Sequence, residues 1–463
     1  MKRLLVIAGT AALILGGCTL APKYERPAAP VSQVWPTLAQ TNGVAAADIE
    51  WRAFFDDPRL RALIELSLTN NRDLRIAVLR VEQSRAQYRI QRSYLFPSLD
   101  TGASVVRQRT PRTVSITGQD ITSTTYDVNV GAAYEVDLFG RIRSLKREAL
   151  ERYFAQEEAR KGAQIALVSE VAAQYLTLLQ LQDSRDLARQ TLEAVQSSYK
   201  LNQRSFEAGV ASELDLRTAE AQVQTAQVNI TTFEQLLAQA ENALVLLIGQ
   251  SLPSDLPRGR SLRDQGLLTD LPAGLPSDLL ERRPDIIAAE HVLKAANANI
   301  GAARAAFFPR ILLTGSGGTM SAKLSDLFTG PSAAWSFAPQ ITVPIFEGGR
   351  NRANLDVAQL QKQIEIAGYE RAIQSAFRDV ADALAVRSFV DLKLAAQALL
   401  VEAQQKRFDL TQARYRQGVD NYLAVLLAQQ DLYAAQQTFL QFQSARLLNA
   451  VTLYRSLGGG WKS

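Results

Sequence analysis

Phe206-Glu207-Ala208-Gly209-Val210 returns, 209 residues further on, as Tyr415-Arg416-Gln417-Gly418-Val419. The same offset carries Leu214 to Leu423 and Ile248-Gly249 to Leu457-Gly458. Looser echoes link Phe96-Pro97 to Phe308-Pro309, and 137–141 to 344–350. Repetition at this scale marks a chain built from two copies of one supersecondary unit. Each copy reads as helix, strand, strand, long helix, sharp turn, helix. The first copy occupies 59–250 and the second 277–458, joined by a Pro/Gly-rich linker at 251–276. Residues 18–58 precede them, and 459–463 form a short tail.

Working outward from the turns, the following helices keep a strict period. Leu216, Ala219, Val223, Ala226, Ile230, Phe233, Leu237, Ala240, Leu244 and Leu247 step by 3 and 4. That is a heptad seam. Shifted by the repeat offset, the seam continues at Val425, Ala428, Leu432, Ala435, Phe439 and Phe442, then meets Arg446 and Asn449. Before each turn lies a longer proline-free stretch, about 142–206 and 351–415, each reaching about 100 Å as a helix. The first carries a seam at Ile165, Val168, Ala172, Tyr175 and Leu179. The two copies therefore predict helical hairpins over 141–250 and 350–458.

Between the helices the period changes to two. Tyr126, Val128, Val130, Ala132, Tyr134, Val136 and Leu138 alternate with mostly polar residues, as do Trp335, Phe337, Pro339, Ile341, Val343 and Ile345. Weaker partners precede them, so strands are expected at about 98–109, 122–138, 310–319 and 333–346. Pro339 and Pro344 each remove a ladder donor and weaken the expectation locally. An apolar-out, polar-in pattern of this length suits an outer-membrane barrel. Four strands cannot close, and an open edge is not tolerated in lipid. Eight strands from a dimer would be filled by side chains, so twelve from a trimer is the smallest conducting closure.

Composition narrows the chemistry. Lys plus Arg number 51 against 46 Asp plus Glu, a formal +5 without basic runs, so nucleic acid is not an expected partner. One Cys and one His, His291, leave no thiolate cluster or multi-histidine zinc site, and no catalytic or metal residues are assigned. Residues 1–17 read as a signal peptide: Lys2 and Arg3, a short apolar run, then Leu15-Gly16-Gly17-Cys18. That ending resembles the bacterial lipobox, which implies a covalent lipid on Cys18 and no other cofactor. Thr19, rather than Asp, then implies the outer membrane. From Thr19 onward no run of 18 apolar residues occurs.

With the lipobox, Ala21-Pro22-Lys23-Tyr24-Glu25-Arg26-Pro27 and the doubled hairpin with Gly-Val turns, the chain resembles the TolC-like outer membrane factors, specifically their lipidated efflux branch. The resemblance implies a mainly α fold with membrane β: a homotrimer whose 12-stranded β-barrel continues into a periplasmic α-helical tunnel. It implies an exit duct passing small molecules such as drugs or toxic compounds. Its partners would be a periplasmic adaptor, a proton-driven inner-membrane transporter and outer-membrane lipid. Family members use an Arg four residues before the turn Gly for adaptor docking. Arg414, Gly418 and Val419 match that tip, and Arg204, Gly209 and Val210 are its first-copy counterpart, with Ser205 where the Arg would stand. Asp420 matches an acidic residue that constricts the tunnel mouth, Asp215 matches it more loosely, and Tyr415 is a candidate to close the tip with them. Both carboxylates also suit a helix N-terminus. His291 is read as a packed or solvated side chain. Rival readings are the duct of a one-step (type I) protein-export system, a lipidated periplasmic adaptor and an enzyme.

Overall fold

The computed structural model describes residues 19–36, 44–267, 271–274 and 276–461. Cys18 and the expected signal peptide at 1–17 therefore lie outside the described residues. After a single helical turn at Trp51–Phe54 come α1 (Pro58–Asn70), α2 (Arg72–Ser93), β1 (Ser98–Thr110) and β2 (Ile121–Val136). A long helix α3 (Arg141–Glu207) and α4 (Glu213–Ile248) complete the first copy. The second copy runs α5 (Pro284–Ala305), β3 (Arg310–Ser321), β4 (Ala333–Thr342), α6 (Arg350–Arg416) and α7 (Tyr422–Ser456). Helices α3 and α6 both have 67 residues, and from α2 and α5 onward the two copies run helix, strand, strand, long helix, helix alike.

The described residues form two compact units, one drawn from 19–28, 80–156 and 288–369, the other from the described parts of 29–79, 157–287 and 370–461. The first unit holds the sheet, in the order β1-β2-β3-β4 with every pair antiparallel. Directly paired residues share a face, so the register sorts the side chains. Thr101 pairs Val130, Val130 pairs Gly317 and Gly317 pairs Trp335, while Ala132, Gly315 and Phe337 form the next rung. On the opposite face Asp100, Gly131, Ser316 and Ser336 line up, beside Asn129 and Asp127. One face is mainly apolar and the other mainly polar, with Arg107 and Arg109 on the Val130 face toward the end of β1 and Leu312 and Met320 on the opposite face.

The strand ends depart from expectation for local reasons. Strand β2 stops at Val136 because Asp137 turns to accept the Ile142 and Arg143 N–H groups at 3.2 and 2.9 Å, capping α3. Strand β4 stops at Thr342, two residues before Pro344 and ahead of the left-handed Gly348-Gly349 pair. Pro339 lies within β4 opposite Leu313, and β4 is an edge strand within one chain.

Residues 20–26 strap onto α5 in the same unit. Arg304 donates to the Leu20 carbonyl at 3.1 Å, Asn297 to Pro22 at 2.8 Å, and Tyr24 and Arg26 to the buried Glu290 at 2.8–3.0 Å. Gly301 permits this approach, since a Cβ there would lie 2.9 Å from the Ala21 Cβ and 2.6 Å from Ser144 Oγ. His291 is packed, its Nδ1 2.7 Å from Glu151 Oε2 and its ring against Phe154.

In the second unit the seams are largely buried, as the heptads require. Ile165, Val168, Ala172, Tyr175 and Leu179 are all buried on α3, and Ala219, Ala226, Ile230, Leu237, Ala240 and Leu244 on α4, whereas Leu216, Val223, Phe233 and Leu247 of the same seam are half-buried. Beyond Phe442 the buried face of α7 shifts to Ser444, Leu447, Ala450 and Val451. Asn449 donates to the Ala383 carbonyl at 3.1 Å, where one repeat earlier Gln174 donates to Ala240 at 3.0 Å. The two copies thus make the same helix-to-helix bond with donor and acceptor exchanged. An 18-residue window within α3 is apolar enough to span a bilayer, but 56% of it is buried inside the molecule, as in a core helix. Trp51, Phe54 and Phe55 are fully buried, Phe54 stacking on Tyr454 at 4.1 Å. The Asp57 carboxylate, which caps α1, ties in the linker by accepting from Tyr175, Arg260 and Gln265 at 2.7–3.0 Å.

Candidate functional site at the helical turns

Both long helices end in the same hydrogen-bonded turn. Gly209 and Gly418 take φ +75° and +72°. The Val210 N–H bonds Ser205 O at 2.8 Å and the Gly209 N–H bonds Phe206 O at 2.9 Å. In the second copy Val419 bonds Arg414 O at 3.0 Å and Gly418 bonds Tyr415 O at 2.9 Å. This is a Schellman ending, which needs a left-handed residue after the helix. Space is not the constraint, because a Cβ on either glycine would meet nothing within 4 Å. Ser212 and Asn421, one offset apart, then cap the next helix by accepting the N–H groups of Asp215 and Ala424, both at 3.1 Å.

The copies differ in charge. Arg414 reaches across its turn, Nε to Asp420 Oδ2 at 2.7 Å and Nη2 to Oδ1 at 3.0 Å. These hydrogen bonds from the guanidinium hold the Asp420 carboxyl below the usual carboxylate range. One offset back the pair is Ser205 and Ala211, so the first turn has no such bridge. Asp215 belongs to the other category: it closes a capping box with Ser212, accepting the Ser212 hydroxyl at 2.7 Å and its N–H at 3.3 Å. Arg204 is exposed and has no side-chain partner among the described residues.

Tyr415 joins the two copies. Its hydroxyl donates to Asn202 Oδ1 at 2.9 Å, and the fully buried Asn202 in turn donates to Ser198 O at 3.0 Å. The Tyr415 ring lies 5.8 Å from Tyr422. Ala219, Tyr422 and Val425 form a small core beneath, with Tyr199 and Phe408 packed on it. Burial pushes the Tyr422 phenol up to about 12, and burial followed by the Asp215 charge raises Tyr415, so both stay neutral donors at ordinary pH. Val210 and Val419 stand exposed beside the turns, at 83% and 60%. The structure thus pairs Arg414 with Asp420, seats Tyr415 on Asn202 and Tyr422 with the Asp215 charge acting on it, and leaves Arg204 apart from both. Asn202, Asn421 and Tyr422 were not singled out from sequence; the 209-residue offset pairing Ser212 with Asn421 was the available signal for one of them.

Comparison with known proteins fits both copies. The sequence profile described as outer membrane efflux protein matches residues 63–250 and 275–459, one segment per copy. The chain belongs to the outer membrane efflux protein family. Among its relatives, this outer membrane efflux protein is 48% identical over 466 residues to the probable efflux pump outer membrane protein TtgC of Pseudomonas putida, covering 99% of this chain and 96% of that one. It is 46% identical to the outer membrane protein OprJ of Pseudomonas aeruginosa, covering 97% and 94%. The open state of the Neisseria gonorrhoeae MtrE outer membrane channel matches with a TM-score of 0.88 at 42% identity, covering 96% of this chain and 99% of that one.

Proposed function

We infer that three copies of the chain assemble into the outer-membrane exit duct of a tripartite efflux system. The observation that carries this reading is the four-stranded sheet with one mainly apolar face, one mainly polar face and two open edges. Strands β1 and β4 run in opposite directions, so β4 of one copy continues antiparallel onto β1 of the next. Three sheets close a 12-stranded barrel with the apolar face toward lipid and the polar face toward the lumen. A second unpartnered surface agrees: Phe389, Leu392, Ala396, Leu399 and Ala403 step by 3 and 4 along α6 and are all exposed in one chain. A neighbouring copy would bury that seam, and the long hairpins would surround a periplasmic tunnel.

On this reading the turns lie at the periplasmic end and meet the adaptor through Arg414, Gly418, Val419 and the first-copy residues Arg204, Gly209 and Val210. Asp420 and Tyr415, with Asp215 beside them, narrow the mouth. A proton-driven inner-membrane transporter would supply the cargo, and a lipid on Cys18 would add an anchor. Relatives are named for antibiotic, solvent and toluene efflux, which favours small apolar or amphiphilic cargo here. Native mass spectrometry should find a trimer, and planar bilayers should record discrete conductance. A monomer that never conducts under conditions preserving other barrels would overturn the reading.

A further inference from the structure

At the foot of the sheet a cavity of about 420 Å³ opens on its polar side, among Tyr94, Phe96, Leu145, Leu312, Glu135 and Arg310. The register places Glu135, Leu312 and Arg310 on the polar face, together with Ser98 and Ala133. The volume suits a small organic molecule. Its walls are unequal. Tyr94 and Phe96 are 56% and 66% exposed, although aromatic side chains this size normally find cover, and Leu145 and Leu312 extend the apolar side.

The other wall carries uncompensated charge. Glu135 is the shared acceptor of two guanidiniums: Arg141 grips it with Nε at 2.9 Å and Nη2 at 2.8 Å, and Arg310 adds Nε at 2.7 Å. Two cations on one carboxylate leave one net positive charge. Arg310 keeps it at the surface, with 61% of its side chain exposed. Arg310 Nη2 also lies 2.6 Å from Glu135 Oε2, so the edge left for a planar oxyanion is Nη1, which has no partner among the described residues, together with the second Nη2 hydrogen.

We propose that this cavity is a binding site for a small anionic amphiphile, an aromatic or aliphatic body bearing one carboxylate. The carboxylate meets the free edge of Arg310, and the body lies against Phe96, Tyr94 and Leu312. The site rests on the duct reading, because closure of the barrel with its polar face inward is what puts the cavity on the cargo path. A ligand held there would dwell at the entrance to the barrel before release. Arg141, already engaged by both oxygens of Glu135, holds that carboxylate in place and positions Arg310 through it.

Isothermal titration of the full-length protein in nanodiscs would use 2-naphthoate and, as the cationic isostere, 2-naphthylmethylammonium. Naphthoate should bind with at least tenfold preference over the cation. Arg310→Gln, which leaves the Arg141–Glu135 pair intact, should abolish the preference. Phe96→Ala should weaken naphthoate binding several-fold while keeping the preference for the anion. Trimer mass and bilayer conductance of each variant should equal those of the parent. Equal binding of the two probes to a conducting trimer, or naphthoate binding unaffected by either substitution, would overturn the site and leave the duct reading standing. A parent protein that neither trimerises nor conducts would instead overturn the duct reading and the luminal placement with it.

Discussion

Arg414 and Asp420 close the second turn with a two-pronged ion pair, Nε and Nη2 donating to the two carboxylate oxygens at 2.7 and 3.0 Å. The duplicated first turn, with Ser205 and Ala211 in those places, has the same backbone bonds and no pair. The backbone therefore makes the turn unaided, and the pair is an addition to it. Asn421 supplies the helix cap, so Asp420 is not needed for that either. A residue spared from structural duty on both counts is a candidate for adjusting how firmly the tip is held.

The pair predicts a pH response of definite sign. Arg414 depresses the Asp420 pKa, so the interaction is present above the ordinary carboxylate value of about 3.9 and is lost as pH falls through the lower folded value. Conductance in bilayers should be flat from pH 8 to about 5 and should rise only under strongly acid conditions. Asp420→Asn, and equally Arg414→Gln, should raise conductance already at neutral pH and remove the acid step. Hydrogen exchange at 416–421 should quicken in both variants. A neutral-pH conductance and exchange rate matching the parent would remove Asp420 from the gate.

The glycines of the two turns permit a cleaner separation of backbone from side chain. Gly418→Ala places a Cβ in open space but at φ +72°, where an L-residue is disfavoured by about 1–2 kcal/mol. Gly418→Asn should cost less, because Asn tolerates the left-handed region. Thermal unfolding of the trimer should barely register either change, whereas local hydrogen exchange at the turn should rank Ala above Asn above the parent. The same ranking should hold at Gly209, where no ion pair contributes.

Much of this was legible in the sequence, and the limits have physical causes. Periodicity is local, so the α3 and α4 seams and the alternation of the strands could be read directly, and the exact 209-residue offset located both turns. The turn, only six positions from Arg414 to Asp420, was also enough to expect the two near each other. Sequence matching assigned one to docking and the other to the gate, and what the folded turn adds is the two-pronged bond between them. Asn202 escaped: its partner Tyr415 is 213 positions away, and nothing near Asn202 in the chain announces it. The shift of the buried face of α7 at Ser444 was announced only negatively, by Arg446 and Asn449 landing on the extrapolated seam. Asp57 gave no signal at all beyond its place before Pro58, since four of its partners converge from the linker and from two different helices.

The N-terminal strap should respond to a single methyl group. Gly301→Ala would set its Cβ 2.8 Å from the Ala21 backbone nitrogen and 2.6 Å from Ser144 Oγ, closer than such atoms pack. The Ser144 hydroxyl can rotate away, but the strap backbone has to move. Glu290→Gln should release it by a different route, weakening the bonds from Tyr24 and Arg26 without steric pressure. Limited proteolysis between Leu20 and Arg26 should accelerate in both variants while the trimer persists. Unchanged cleavage in both would mean that the strap is held by contacts other than these.

The two faces of the sheet give the sharpest test, because neighbours in sequence should behave oppositely. Val130 pairs with Thr101 and Gly317 on the apolar face and is 55% exposed in a single chain. Asn129, one position earlier, pairs with Gly102 and Gly318 on the polar face. Val130→Lys puts an ammonium into hydrocarbon and should cost about 2–4 kcal/mol near the bilayer midplane. With three copies per barrel the penalty is paid three times, enough to empty the assembled state. Asn129→Lys has the same charge and nearly the same backbone environment but projects into the lumen, so trimers should form in normal yield. Its three added positive charges should instead shift ion selectivity toward anions. Gel-resolved trimer yield from outer membranes and reversal potentials in a salt gradient measure the two effects separately. If both substitutions were tolerated equally, the sheet would not be lining a barrel wall. If Asn129→Lys blocked assembly while Val130→Lys did not, the faces would be assigned the wrong way round, and the cavity beside Arg310 would then face lipid instead of the duct.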